Sequence, residues 1–126
     1  MRKSLLIFLC ILGALAASPA RAVEDNKATL EGELQRLSEI LGALHYLRAI
    51  CGANEGPKWR NEMQALIDAE AQAANRRSKL AASFNRGYRG FQQTYRACTP
   101  AADIAIRRYL TEGAKIAREI TARYTN

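Results

Sequence analysis

The chain has 126 residues, 48% of them hydrophobic and 25% charged, with three cysteines, one histidine and a formal net charge of +7. That size and balance fit a single globular domain with a modest core. One histidine excludes a multi-histidine metal centre, including the di-iron bundle that needs Glu-x-x-His on two helices, and no phosphate-cradling glycine loop or dinucleotide fingerprint is present.

The first element is a leader. Arg2 and Lys3 give a positive start, Leu5 to Ala17 is apolar and uncharged, and Ala20 and Ala22 stand at the spacing a signal peptidase reads. Residues 1–22 are therefore expected to be a cleaved signal peptide, cut after Ala22. The apolar run is short for a membrane span, so a retained anchor is the weaker alternative. Lipid attachment at Cys10 is disfavoured by the bulky Leu9 before it. Residues 23–126 are then one helical domain, expected in the periplasm and without a transmembrane segment.

Leu30, Leu34, Leu37, Leu41 and Leu44 step by four and three, one face of a helix that Ile40, Leu47 and Ile50 widen. The run from Gly52 to Pro57 ends it, and Pro57 suits the start of the next helix, where a missing N–H costs nothing. The second helix carries Trp59, Met63, Leu66 and Ile67 on one side. No glycine or proline marks its end, but one helix from Pro57 to Ala97 would be about 60 Å long, too long for this domain. A turn is placed between Ala71 and Asn75. The third helix aligns Leu80, Phe84, Tyr88, Phe91, Tyr95 and Cys98, with Lys79, Arg86, Arg89 and Arg96 on the far side: rings to the core, cations to water. Gly87 and Gly90 fit a close helix neighbour or a bend. Thr99-Pro100 reads as a cap followed by proline at the first helical position. The fourth helix presents Ile106, Leu110, Gly113, Ala117 and Ile120. No alternating β-branched run predicts a strand.

After the leader, Cys51 and Cys98 remain. An even pair in a small exported domain points to a structural disulfide. A zinc site lacks ligands, a haem motif is absent, and a redox-active pair would be close in sequence. A turn between helices two and three brings both cysteines to one end. The expected fold is all-α: an antiparallel up-down-up-down four-helix bundle stapled by one disulfide.

Charge is unevenly spread. Residues 23–75 carry five Lys/Arg against nine Asp/Glu, and residues 76–126 carry eleven against three. The plain outcome is neutralisation across helix contacts, leaving a solvated face. The functional outcome is a basic face on helices three and four, Arg86, Arg89 and Arg96 extended by Arg107, Arg108 and Arg118. Its partners would be an acidic envelope protein, anionic lipid headgroups or a cell-wall polymer. Export argues against nucleic acid.

The leading functional reading is a non-catalytic periplasmic interaction module that needs no cofactor. One alternative is a small-ligand carrier with an interhelical pocket of Trp59, Tyr88, Phe91 and Tyr95. Another is an envelope polymer hydrolase using Glu62, Glu70 and His45, which would need to meet across a cleft. A lone histidine is more ordinarily an edge-of-core residue, and three carboxylates on one short helix (Asp68 is the third) more ordinarily solubilise it.

The blocks "LGALHYLRAIC" (Leu41 to Cys51), "WRNEM" (Trp59 to Met63), "FNRGYRGF" (Phe84 to Phe91) and "YRACTPAA" (Tyr95 to Ala102) resemble an uncharacterised family of small alphaproteobacterial proteins that carries only a domain-of-unknown-function label. The resemblance runs from about Leu37 to the C-terminus and includes both cysteines. It implies export, a helical fold and an alphaproteobacterial source. It implies no activity, substrate or site residue.

Overall fold

A computed structural model describes residues 19–125. It has four helices, α1 (Pro19–Ile50), α2 (Lys58–Glu70), α3 (Ala74–Thr94) and α4 (Pro100–Ala122), and no strand among the described residues. Most of the expected leader, residues 1–18, lies outside the described residues, and α1 runs unbroken through the expected cut after Ala22. No described helix is long and apolar enough to cross a membrane.

Local chemistry sets the helix ends. Gly52 ends α1 with φ +82°; its N–H bonds the Ala49 carbonyl and the Ala53 N–H bonds the Arg48 carbonyl. That pair of bonds is the Schellman stop, whose left-handed residue favours glycine. α2 gives way at Ala71, whose N–H still bonds the Ile67 carbonyl at 2.8 Å. The break thus falls inside the expected 71–75 span. Arg76 completes it, donating to the Glu70 carbonyl at 2.8 Å and pairing with Glu31 of α1. The Thr99 side chain accepts from the Ala102 N–H at 3.1 Å, and Pro100 opens α4.

The turn between α1 and α2 is held by one carboxylate. Glu55 accepts from the Arg48 guanidinium and from the Trp59 indole N–H, the latter at 2.8 Å. The Arg48 bond, aided by Trp59 and opposed by desolvation, lowers the Glu55 carboxyl from 4.5 to about 2. A group depressed on folding contributes stability that is complete above its unfolded value and is lost as pH falls through its folded one. Glu55→Gln should therefore flatten the loss of stability between pH 4.5 and about 2 in urea titrations, and an NMR midpoint for Glu55 near 4.5 would contradict this arrangement.

α1 is the hub. Its backbone packs against all three other helices, α2 and α3 meet only marginally, and α4 approaches the backbone of α1 alone. Leu34, Ile40, Leu44 and Leu47 are the largest fully buried side chains of α1, as the leucine ladder predicts. Contacts between α1 and α3 run in sequence order, from Glu31–Arg76 through Gly42–Phe84 to Cys51–Cys98, so these two helices lie side by side in the same direction. The α1–α4 pairs, Glu33–Arg123 and Arg36–Glu112, run in opposed order. The Cys51 and Cys98 sulfurs stand at disulfide-bonding distance, with their Cα atoms 4.7 Å apart.

The α1–α3 seam differs from expectation. Its buried α3 positions are Leu80, Ser83 and Gly87, while Phe84, Tyr88 and Phe91 are only half-buried. A Cβ at Gly42 would collide with the Phe84 carbonyl oxygen, and one at Gly87 with the Glu39 carbonyl oxygen. Backbones this close leave no room for rings between them. The rings form two side clusters instead. Tyr88 meets His45 at 5.6 Å and Tyr46 at 5.4 Å, and Phe91 meets Tyr95 and Tyr109. Gly90 has nothing within 4 Å of an added Cβ, so only Gly87 serves the close approach.

α3 also ends at Thr94, four residues before Cys98. Tyr95 is extended (φ −119°, ψ 121°), and its carbonyl accepts from the Tyr46 hydroxyl. On α4 the buried positions are Ala102, Ile106, Gly113, Ile116 and Ile120. The expected Leu110 and Ala117 are exposed, because α2 and α4 do not close over them.

Candidate functional site

The charge halves largely cancel. Glu31, Glu33 and Glu39 of α1 are taken by Arg76, Arg123 and Arg86, and Glu112 of α4 by Arg36. Arg86 is exposed and holds Glu39 and the Ser83 hydroxyl, each at 3.3 Å. Of the six arginines expected on the basic face it alone has an acidic partner. Arg89, Arg96, Arg107, Arg108 and Arg118 are exposed and form no ion pair among the described residues.

They do not make one patch. Arg107 and Arg118 are eleven residues apart, three helical turns, and share the outer side of α4. Arg89 sits in the last turns of α3 and Arg96 in the extended link after it. Arg108 turns toward a cleft of about 390 Å³ between the end of α3 and the first half of α4.

This cleft gathers rings and cations. Phe91 and Tyr95 come from the α3 side, with ring centroids 6.1 Å apart and nearly parallel. Tyr109 meets Phe91 edge-on at 5.5 Å. Arg36 enters from α1, gives Glu112 bonds of 2.6 and 2.9 Å, and lies 5.4 Å from the Tyr109 ring centroid. The Glu112 bond raises the Arg36 pKa, and the Arg36 bond holds the Glu112 carboxyl below its ordinary value. Glu112 is thus already neutralised, and Arg108 supplies the unbalanced charge. Such a surface, rings flanked by a free guanidinium, suits an acidic partner.

Other expected constellations are dispersed. Trp59 lines a different space, between α1, α2 and α4, and Tyr88 lines a third with His45 and Arg60. The single aromatic pocket of Trp59, Tyr88, Phe91 and Tyr95 therefore does not form; its members line three separate spaces. Only Phe91 and Tyr95 share a cavity. Glu62 lies beside Trp59, His45 beside Tyr88, and Glu70 accepts from the Tyr124 hydroxyl at 2.6 Å. No two of the hydrolase candidates share a cleft. Burial, with the Arg60 charge second, lowers the His45 pKa and favours its neutral form. Asp103 approaches the Cys98 sulfur at 3.8 Å, but that sulfur stands at disulfide-bonding distance from Cys51, and a disulfide offers no thiolate to a metal.

Sequence reading missed Arg36, Tyr109 and Glu112. The signal for Tyr109 was available: it lies on the Ala102–Ile106–Gly113 face of α4. For Arg36 and Glu112, 76 positions apart, none existed.

A family profile described as "Protein of unknown function (DUF2385)" matches residues 29–124. No curated protein and no solved structure matches the chain.

Proposed function

The chain belongs to the DUF2385 family, whose function is unknown, and from that premise we propose that it is a non-catalytic interaction module of the alphaproteobacterial periplasm. It reaches that compartment through the leader of residues 1–22 and carries an oxidised Cys51–Cys98 bridge there. Its helices take an up-down-up-down course, a reading supported by the α1–α3 and α1–α4 pair order. The partner is an acidic envelope protein. One observation carries this reading: Arg89, Arg96, Arg107, Arg108 and Arg118 are exposed and form no ion pair among the described residues, and Arg108 borders an aromatic cleft, whereas Arg36, Arg76, Arg86 and Arg123 are all paired.

Unpaired guanidinium groups speed encounter with an acidic surface, and the half-buried rings beside Arg108 supply holding energy. The separation of Glu62, Glu70 and His45 disfavours the hydrolase reading.

The test is cross-linking in the native host. Arg89→Glu, Arg96→Glu and Arg108→Glu together should abolish the cross-linked acidic protein while leaving the helical spectrum intact. An unchanged set of partners would refute the assignment. Products containing only lipid or wall polymer would replace the acidic protein as the partner.

A further inference from the structure

α2 and α3 meet only marginally, and the gap between them holds a cavity of about 240 Å³. Five side chains line it: His45 from α1, Arg60 from α2, and Phe84, Asn85 and Tyr88 from α3. All five reach solvent. Arg60 and Asn85 are exposed and the three rings are half-buried, so the space is open to a ligand. The ring wall is held in place. His45 packs 6.0 Å from Phe84 and 5.6 Å from Tyr88 between ring centroids, and the Phe84 backbone stands against Gly42 in the α1–α3 seam.

The polar groups around this cavity are free. The His45 imidazole, the Arg60 guanidinium, the Asn85 amide and the Tyr88 hydroxyl make no side-chain hydrogen bond or ion pair among the described residues. No carboxylate lines the cavity, and none lines the adjoining space of about 190 Å³ that shares Arg60, Phe84 and Asn85. Three helices thus bring donors to one place where the chain supplies no anion of its own. A guanidinium offers a planar fork that matches an oxyanion, and a hydroxyl and an amide can add further donors.

Charge and size narrow the class. Burial, then the Arg60 charge, lowers the His45 pKa, so the imidazole is neutral at pH 7 and Arg60 is the one cation on the wall. One guanidinium balances a monoanion, which favours a carboxylate over a phosphate dianion. The volume lies below the roughly 300 Å³ at which sites for drug-sized molecules begin, so the ligand is small. Half-buried rings with open faces or edges favour an aromatic body.

We propose that this cavity binds a small aromatic monocarboxylate, its carboxylate paired with Arg60 and its ring against Phe84 and Tyr88. The site shares no lining residue with the arginine-bordered cleft, so its test is independent of the acidic partner.

His45 is the only histidine in the chain, so its imidazole proton signals report on the cavity without a label. Benzoate, titrated into the oxidised protein at constant pH and ionic strength, should shift those signals to saturation. Arg60→Gln, at an exposed position, should weaken benzoate about tenfold or more, the loss of one charged hydrogen-bonded pair. Arg77→Gln is the control: it is an exposed arginine near the start of α3 that does not line the cavity, and it should leave binding unchanged. Benzyl alcohol, the uncharged probe, and phosphate should give no saturable shift. A response to benzoate that does not saturate, or equal binding by Arg60→Gln, would overturn the proposal, as would equal weakening by both arginine variants. Benzyl alcohol binding as tightly as benzoate would overturn the pairing with Arg60, and phosphate binding as tightly would overturn the carboxylate class.

Discussion

Gly42→Ala or Gly87→Ala is expected to destabilise the protein by about 3 kcal/mol or more, measured by urea unfolding of the oxidised chain. The change adds one methyl group to a residue that normally weakens a helix. Alanine in an open helical position gains up to about 1 kcal/mol over glycine. At these two sites the added Cβ runs into backbone carbonyls, Phe84 against Gly42 and Glu39 against Gly87. A carbonyl in a helix cannot rotate away as a side-chain tip can, so the helices must separate. Separation exposes Ser38, Ala43 and Ser83, all at most 1% exposed, and loosens the side-by-side packing of α1 and α3. Gly90→Ala is the internal control. It has no neighbour within 4 Å and no positive φ, so it should stabilise by roughly 0.5–1 kcal/mol. Glycine variants at 42, 87 and 90 that behave alike would contradict the close seam.

The same seam explains where sequence pattern succeeded and where it failed. Large aliphatic residues at helical spacing announced α1, and Leu34, Leu37, Ile40, Leu41, Leu44 and Leu47 are all buried there. On α3 the ring pattern was the louder signal, but close backbone approach selects small residues, and Ser83 and Gly87 carry little hydropathy. A stripe of small residues is legible only when its partner stripe, Ser38 and Gly42 four residues apart on α1, is read beside it. The early end of α3 has no glycine or proline to mark it. It depends on the Tyr46 hydroxyl reaching the Tyr95 carbonyl across 49 positions. The opposite charges of the two halves were visible in composition, but not which arginines would stay unpaired. That depended on which carboxylates α1 brings within reach: Glu31, Glu33 and Glu39 pair with Arg76, Arg123 and Arg86, and among the described residues no carboxylate pairs with Arg89 or Arg107.

The clasp of α1 and α3 is the claim on which the arginine-bordered cleft stands. The cleft is walled by the end of α3 and entered by Arg36 from α1, so a loosened pair would blur it. Cys51 and Cys98 stand at disulfide-bonding distance at the end opposite Glu31–Arg76. Joining residues 47 positions apart removes chain entropy from the unfolded state worth about 4 kcal/mol on the loop-closure model. The double variant Cys51→Ala, Cys98→Ala should therefore lose about that much and melt roughly 15–30 °C lower than the oxidised protein. Added reductant should lower the wild type alone.

A non-reducing tryptic map of protein recovered from the envelope tests the clasp most directly. The account predicts that residues 49–58 and 97–107 travel as one linked peptide, which separates into two on reduction. Recovery of those two peptides as free thiols before any reductant is added would contradict it.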